Sequence, residues 1–425
     1  MDELTLQGLS QGTGEPVDRL QHWRSLGLIG HTGGSEFGRE DIERARLIQF
    51  LMRRGISAEA ISRADQEDGF LGRYMEHTFP GGVPPTYSFR KAAEMLGLDV
   101  GLLQRLWEAA GPTEPGESLD DEDLRVLRAF KVALDAGFPE EALVQLVRVY
   151  ADALSRVADT ESRLFHFYVH DSLKAQGLSG RALVEVATVS GNRIAPLMEP
   201  VILYFHRKGW KRAAREDAVM HLQDDSALTQ KPAVPGRLRM AIVFVDLSNF
   251  TPLAEAMGDH TAAQVLERFS QLVRETVSRC EGRVVKQIGD AFMLAFPESR
   301  SAVAAALEIE RRATAESQFP AVRSGVHWGQ VVYREGDYLG ANVNVAARLA
   351  AEAQRHQVLV TVAVRTEAGR LPDLEFVSLG KRRLKGVADE MELFEARRSV
   401  ETTAGQRPID PVCGMELGQP RSWHG

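Results

Sequence analysis

The sequence AIVFVDLSNFT (241–251) decides the fold of the second half of the chain. Its β-branched and aromatic residues predict a buried strand that ends at Asp246. Ser248 and Asn249 follow directly and predict the start of a helix. The Asp246 carboxylate is therefore expected at the point where a buried strand opens to solvent.

The stretch GRVVKQIGDAFMLAF (282–296) predicts a β-hairpin. Its strands cover 284–288 and 291–296, and Gly289-Asp290 forms the tight turn between them. The Asp290 carboxylate then lies at a second strand end, in a turn whose backbone a ligand can approach closely. Two acids at neighbouring strand ends suit two hard cations, and two such cations suit phosphoryl transfer.

The stretch GDYLGANVNVAARL (336–349) predicts a helix that Asn342 would cap. Asn344 and Arg348 are four residues apart, so they are expected on one face of this helix. Asp337 comes just before the helix. This stretch adds an amide, a guanidinium and a third carboxylate to the two acids already named.

The three stretches closely resemble the class III nucleotidyl cyclases, in the order and at the separations of that family, over 237–397. The resemblance implies an α+β chain, in which a ferredoxin-like catalytic domain follows an all-helical N-terminal regulatory domain. It also implies that the catalytic domain works as a head-to-tail homodimer with shared active sites. The implied cofactors are two Mg²⁺ or Mn²⁺ ions.

The resemblance also assigns a role to each candidate site residue. A lysine that donates to a purine ring nitrogen and an aspartate that accepts from an exocyclic amine favour adenine, so ATP is the expected substrate and the chain is expected to be an adenylate cyclase. The implied roles are metal binding for Asp246 and Asp290, backbone contacts to the triphosphate for Phe250 and Thr251 at a helix start, purine recognition for Lys286 and Asp337, ribose orientation for Asn344, transition-state stabilisation for Arg348, and a triphosphate contact for Lys385.

Composition narrows the remaining possibilities. A chain of 425 residues with 44% hydrophobic residues can form two to three domains with ordinary cores. The net charge of −8 gives no signal for nucleic acid or an anionic membrane. Two cysteines, Cys280 and Cys413, exclude a disulfide framework and fit a reducing cytoplasm. The start MDELTLQ does not resemble a signal peptide, and the most apolar run, 194–205, is too short to span a bilayer, so a cytoplasmic protein is expected.

Residues 4–62 and 87–145 form an internal repeat in which Gly55 aligns with Gly137. Each copy predicts two short helices, a loop and a longer helix closed by a left-handed glycine. Each copy also resembles the helix-turn-helix of mercury-resistance-type regulators, which leaves open a DNA-binding regulator that uses a cyclase-like domain as a nucleotide sensor. The helices that would enter the major groove carry little positive charge, which favours a protein-interaction or ligand-sensing role instead.

Residues 139–222 predict long apolar helices with a break or kink near Pro196 and Pro200. In related cyclases such a domain is autoinhibitory and dimerises, which makes 1–222 the expected regulatory domain and 210–222 its transmitter helix.

The stimulus of the regulatory domain is left open by the sequence. Four histidines are candidates for a pH switch, a lipid-like effector is an equal alternative, and each histidine can also be an ordinary surface or packing residue. These four are His166, His170, His206 and His221.

A linker is expected at 223–236 and a tail at 398–425. The tail contains DPVCGMEL, which resembles the opening of a YHS metal-binding domain. Cys413 and His424 alone make a weak metal site, so a solvated tail or truncated remnant is the alternative.

Overall fold

The computed structural model describes residues 4–30, 37–79, 81–84, 86–111, 118–226, 236–369, 374–387 and 389–399. The chain divides into two compact units, Met1–Thr229 and Gln230–Gly425. Apart from two isolated β-bridges, the regular structure described in the first unit is helical, and the second unit contains the β-sheet.

The internal repeat of the first unit is visible in its helices. Each copy begins with a residue that forms an isolated antiparallel bridge to a later one, Leu4 to Phe37 and Tyr87 to Leu119. The predicted order of two short helices and one longer helix is confirmed in both copies. The helices are α1 (Leu6–Thr13), α2 (Val17–Ser25), α3 (Arg39–Arg53), α4 (Ala58–Asp68), α5 (Phe70–Thr78), α6 (Phe89–Leu96), α7 (Val100–Ala110) and α8 (Asp121–Asp135).

Glycines end the long helix of each copy as predicted. Gly55 and Gly137 follow α3 and α8 with φ values of 85° and 92°. These values favour glycine, because a residue with a Cβ would meet a steric penalty there. Each copy also buries its own apolar cluster, around Trp23 in the first and around Leu103 in the second.

The rest of the first unit is formed by α9 (Glu140–Phe165), a π-helical turn (His166–His170), α10 (Asp171–Ala175) and α11 (Gly180–Ser226). A break or kink was predicted near Pro196 and Pro200. The break is wrong, because α11 runs through both prolines as one 47-residue helix, and the kink stays a prediction. Each proline removes a single backbone donor, which a long helix with bonds on either side tolerates. The helix continues to Ser226, so residues 223–226 of the expected linker are helical. In the part of the chain that the structure describes, no helix combines the length and apolarity that a membrane span requires.

The second unit contains eight strands and five helices among its described residues. These are β1 (Arg237–Leu247), α12 (Phe250–Met257), α13 (Asp259–Arg279), β2 (Arg283–Ile288), β3 (Ala291–Phe296), α14 (Ser299–Ala315), β4 (Val322–Arg334), β5 (Asp337–Leu339), α15 (Ala341–Glu352), β6 (Val358–Thr361), α16 (Val362–Ala368), β7 (Leu374–Arg382) and β8 (Met391–Arg398).

The second unit has the chain order β-α-β-β-α-β at its start, with strand order β2-β3-β1-β4 in the sheet. This is the ferredoxin-like arrangement, so the expected α+β fold is confirmed. A parallel pairing of β4 with β6 extends the sheet through β8 to β7, and β5 pairs with the end of β4.

Helices cover the two faces of this sheet unequally. Helices α13, α14 and α16 pack on one face around Phe269 and Phe292, where the main core lies. Helix α15 packs on the other face, with Val343 and Ala346 against Ile242 and Met293.

The approach of α15 to β4 depends on two glycines of β4. A Cβ at Gly325 would lie 2.2 Å from the Ala350 nitrogen and 2.6 Å from the Ala346 oxygen. At Gly329 it would lie 2.6 Å from the side-chain amide of Asn342. The absence of side chains at these two positions lets the helix backbone rest directly on the strand.

Candidate active site

The pairing of β1 with β3 brings two acids of the sequence together. Asp246 pairs with Ala291, the residue directly after Asp290. Burial raises the pKa of Asp290, and the negative charge of Asp246 raises it further. The two carboxylates expected at neighbouring strand ends therefore share one partly buried site.

A third charged residue, Arg323, enters this site from the start of β4. Arg323 pairs with Asp246 in the strand register, and its Nε and Nη2 donate to the Asp246 Oδ2 at 2.9 and 2.5 Å. Its Nη1 donates to the Ala351 carbonyl at 3.2 Å. The sequence analysis missed Arg323, because only the pairing of β1 with β4, which are about 75 residues apart, places it beside Asp246.

The site fits a hard divalent cation. Carboxylate oxygens are the ligands that Mg²⁺ and Mn²⁺ prefer, and Asp246 and Asp290 offer them from two adjacent strand ends. Arg323 supplies the positive charge that two neighbouring carboxylates require, and a cation could supply the same compensation. Asp246 and Asp290 are therefore the residues that could hold a metal here, and the number of ions stays a prediction.

A second charged pair forms between the hairpin and the segment before α15. The Lys286 ammonium contacts the Asp337 carboxylate directly, although 51 residues separate them in sequence. The other oxygen of Asp337 accepts the backbone N–H of Tyr338 at 2.8 Å. Both side chains remain partly open to solvent, at 42% for Lys286 and 29% for Asp337. The two residues expected to read a purine are therefore neighbours within one chain.

Asn344 and Arg348 lie on one face of α15, as the four-residue spacing predicts. Both are exposed, whereas Val345 and Leu349 are buried against the β6 and β8 side of the sheet and Ala346 against the β1 side. The helix therefore directs Asn344 and Arg348 away from the sheet on which it packs.

The predicted capping role of Asn342 is wrong. Helix α15 begins at Ala341 with Gly340 as its N-cap, so Asn342 already lies in the first turn. Its side chain faces β4, where its Nδ2 donates to the Gln330 carbonyl at 2.7 Å and its Oδ1 lies 2.9 Å from His327 Nε2. The open space above Gly329 makes this inward position available, and the inward hydrogen bonds replace the cap.

His327 is a buried residue that connects α15 to β6. Because Asn342 Oδ1 can only accept, His327 Nε2 carries the proton, and His327 Nδ1 accepts from the Thr361 hydroxyl at 2.9 Å. Burial lowers the pKa of His327, so its neutral form is favoured. The residue fixes the position of α15 relative to the sheet.

The remaining expected site residues lie at the start of α12 and in the turn between β7 and β8. Helix α12 begins at Phe250, which is partly buried against the main core, and Thr251 is exposed in its first turn. Asn249 precedes the helix with φ of 59°, so the chain turns sharply after β1. Lys385 is exposed in the turn between β7 and β8.

Comparison with known proteins identifies both units. Residues 35–206 match the family described as "Adenylate cyclase regulatory domain", and residues 236–395 match "Adenylate and Guanylate cyclase catalytic domain". An uncharacterized protein of Mycobacterium bovis is 30% identical over 364 residues, which cover 83% of this chain and 90% of that protein. The chain belongs to the class III adenylate and guanylate cyclases.

This cyclase is also similar to two further proteins. A pH-sensitive adenylate cyclase of Mycobacterium tuberculosis is 28% identical over 401 residues, or 91% of this chain and 96% of that protein. The solved structure of the adenylyl cyclase CyaB from P. aeruginosa matches 38% of this chain and 95% of that chain, with 18% identity and a TM-score of 0.35.

These matches settle part of what the sequence predicts for this cyclase. The catalytic and regulatory family assignments are confirmed. The helix-turn-helix resemblance of the repeat and the DNA-binding alternative stay predictions. The YHS-like segment with Cys413 and His424 lies outside the described residues, as does the side chain of His221.

Proposed function

We propose that this cyclase converts ATP to 3′,5′-cyclic AMP and pyrophosphate in a homodimer with shared active sites, under the control of its N-terminal unit. The observation that carries the proposal is the meeting of Asp246 and Asp290 at the end of β1, with a compensating arginine beside them. The similarity to a pH-sensitive adenylate cyclase over most of both chains supports the adenylate assignment.

The choice of ATP follows from Lys286 and Asp337. When a purine separates this ion pair, the lysine can donate only to an acceptor, and the aspartate can accept only from a donor. Adenine offers that combination in a ring nitrogen and its exocyclic amine. A guanine would leave polar groups unpaired, at about 1–3 kcal/mol each, which corresponds to a preference of roughly a hundredfold for ATP.

The reaction requires charge compensation at the phosphates. Two Mg²⁺ or Mn²⁺ ions at Asp246 and Asp290 would lower the pKa of the ribose 3′-hydroxyl and stabilise the leaving pyrophosphate. The first backbone N–H groups of α12, at Phe250 and Thr251, would donate hydrogen bonds to triphosphate oxygens. Lys385 would add a further positive charge, and Arg323 is close enough to Asp246 to reach the same phosphates.

The homodimer is supported by the direction of two side chains. Asn344 and Arg348 leave α15 on the side opposite to the sheet, and a helix with its side chains is about 10–12 Å across. The acids lie at the end of β1 and β3, in the sheet below that helix. A second protomer could present its own Asn344, to orient the ribose, and its own Arg348, to meet the charge that develops on the α-phosphate.

Complementation between inactive variants tests this arrangement. Asp290→Asn and Arg348→Ala should each abolish cyclic AMP formation when purified alone. After random subunit exchange, half of the dimers contain one of each variant, and each such dimer has one intact site. The mixture should therefore recover about a quarter of the wild-type rate per protomer.

A mixture of Asp290→Asn with Asp246→Asn provides the matched control. Both variants damage the same half of the site, so no dimer in that mixture has an intact one. Recovery in the control mixture, or its absence in the first mixture despite confirmed subunit exchange, would contradict shared sites. Cyclic GMP formed from GTP at an equal rate would contradict the adenylate assignment.

Regulation by the N-terminal unit is part of the proposal. Autoinhibition through the end of α11, with pH or a small or lipid-like molecule as the stimulus, stays a prediction, as does action in the cytoplasm. Comparing the rate of the full chain between pH 5.5 and 8 with that of a variant in which His206 is replaced by asparagine tests one of the candidate histidines.

A further inference from the structure

The regulatory unit contains a backbone irregularity that groups three potential metal ligands. Between α9 and α10 the chain forms a π-helical turn, in which the N–H of Asp171 donates to the carbonyl of His166. In a regular α-helix residues five apart point about 140° away from each other. The extra residue in a π-turn moves Asp171 around the helix toward the face that holds His166 and His170. Such turns frequently occur at functional sites.

The side chains of the turn converge to within coordination range of one another. The imidazoles of His166 and His170 stack with centroids 4.9 Å apart and planes 20° from parallel. One Asp171 oxygen lies 3.8 Å from His166 Nε2 and 3.7 Å from His170 Nδ1. One ligand atom of each residue lies within 4.8 Å of the others, and the structure contains no other such group of three among its described residues.

These distances do not correspond to hydrogen bonds. Nitrogen–oxygen hydrogen bonds are about 2.7–3.2 Å long, so Asp171 bonds to neither ring. His170 Nδ1 is inaccessible to solvent and has no hydrogen-bond partner. The nearest described cation is Lys174, whose ammonium is 4.0 Å from the same Asp171 oxygen. The ligand atoms of the three residues therefore lie close together without hydrogen bonds between Asp171 and either ring.

The two nitrogen–oxygen distances are compatible with a tetrahedral ion. Ligand atoms about 2.0–2.1 Å from Zn²⁺ lie about 3.4 Å from each other. The two observed nitrogen–oxygen distances exceed that value by about 0.3 and 0.4 Å, within the reach of small side-chain rotations. The side chains of His166, His170 and Asp171 are 54%, 26% and 48% exposed, which leaves an open position for water.

We propose that His166, His170 and Asp171 bind a divalent transition-metal ion of the Zn²⁺ type, with water completing the coordination. Two imidazoles with one carboxylate favour Zn²⁺, Co²⁺ or Ni²⁺ over Mg²⁺, which prefers oxygen ligands. The site belongs to the regulatory unit and uses none of the residues proposed for catalysis. Because two of the ligands lie in the π-turn and the third follows it directly, the bound ion would stabilise the junction of α9 and α10.

Zinc binding by the full-length protein tests the site. Zn²⁺ is titrated against a competing chromophoric chelator, for wild type and for the double variant His166→Asn/His170→Asn. The catalytic acids and the C-terminal tail are the same in both proteins, so the difference reports the proposed site alone. The double variant should bind one Zn²⁺ fewer per chain, and Asp171→Asn should weaken that site at least about tenfold.

His77→Asn is the matched control, because His77 is an exposed histidine of the same unit outside the cluster. It should leave Zn²⁺ binding unchanged. Equal stoichiometry and affinity in wild type and the double variant, or no effect of Asp171→Asn, would overturn the proposal.

A second measurement uses only the wild-type protein and so does not depend on the variants folding. Diethyl pyrocarbonate modifies exposed histidines, and modification at each is read by peptide mass spectrometry. Zn²⁺ should slow modification of His166 relative to His77 at least about fivefold, since coordination removes the free imidazole nitrogen. Equal rates at saturating Zn²⁺ would overturn the site.

Discussion

Replacing Gly325 by alanine is expected to inactivate the cyclase without altering any residue that binds substrate. The added Cβ would lie 2.2 Å from the Ala350 nitrogen, and ordinary contact begins at 3.4 Å. Because backbone atoms of α15 cannot rotate away, the helix must move by the difference, about 1.2 Å. That movement would displace Asn344 and Arg348, which α15 carries.

Gly325→Ala should lower both the melting temperature of the catalytic unit and its kcat. Overpacking of this kind costs about 1–3 kcal/mol of stability. At about 2–4 °C per kcal/mol for a unit of this size, the melting temperature of the catalytic unit should fall by about 2–12 °C. A displacement near 1 Å of a catalytic group can reduce the rate by about a hundredfold, so kcat should fall by at least that factor.

Gly329→Ala is the matched comparison on the same strand and under the same helix. Its Cβ would meet only the side-chain amide of Asn342, which can rotate at the expense of its hydrogen bonds. Gly72→Ala, at an exposed helical glycine with no atom near the new Cβ, is the neutral control.

Differential scanning calorimetry and initial rates of cyclic AMP formation measure the two effects. Gly325→Ala should be the most affected variant in both assays, and Gly329→Ala should lie between it and the control. If Gly325→Ala melts within 1 °C of wild type and keeps its rate, within about twofold, then the close approach of α15 to β4 does not position the catalytic residues.

Two other predictions concern His327 and the purine pair. Burial lowers the pKa of His327, so as the pH falls through the ordinary histidine pKa the unfolded chain binds a proton before the folded chain does, and the folded state loses stability. Urea unfolding of the wild type at pH 7.5 and 5.5 should show this loss, by up to about 1.4 kcal/mol per pH unit. His327→Asn should reduce this dependence of the unfolding free energy on pH. Equal slopes in both proteins would contradict a buried neutral imidazole. Combining Lys286→Glu with Asp337→Cys should lower the ratio of kcat/KM for ATP over GTP at least about tenfold, since the pair would no longer complement adenine. A ratio unchanged in competition assays would show that other residues select the base.

Local patterns were sufficient to predict the elements that carry the site. Runs of β-branched and aromatic residues and a Gly-Asp turn predicted the strands around Asp246 and Asp290. The four-residue spacing placed Asn344 and Arg348 on one helix face. The repeat in the regulatory unit was equally visible, because each copy has its own caps and glycines.

Features that depend on distant contacts could not be predicted. The role of Arg323 requires the register of β1 with β4, and the inward turn of Asn342 requires Gly329 across from it. The π-turn at His166 has the same apolar spacing as an α-helix over such a short segment, so periodicity cannot reveal it. The break predicted at Pro196 and Pro200 was wrong, because the local cost of a proline can be outweighed by the rest of a long helix.

The guanidinium of Arg323 also links two binding events thermodynamically. Arg323 donates both of its bonds with Asp246 to the Oδ2 of that residue, so a cation that bound this oxygen would compete with the arginine for it. An ion that takes Asp246 therefore leaves Arg323 in need of a new anionic partner, which the triphosphate of the nucleotide can be. Because such coupling is reciprocal, a nucleotide that engages Arg323 must raise the affinity of Asp246 for the ion by the same factor. The protein would then bind ion and nucleotide cooperatively, even though neither needs to touch the other.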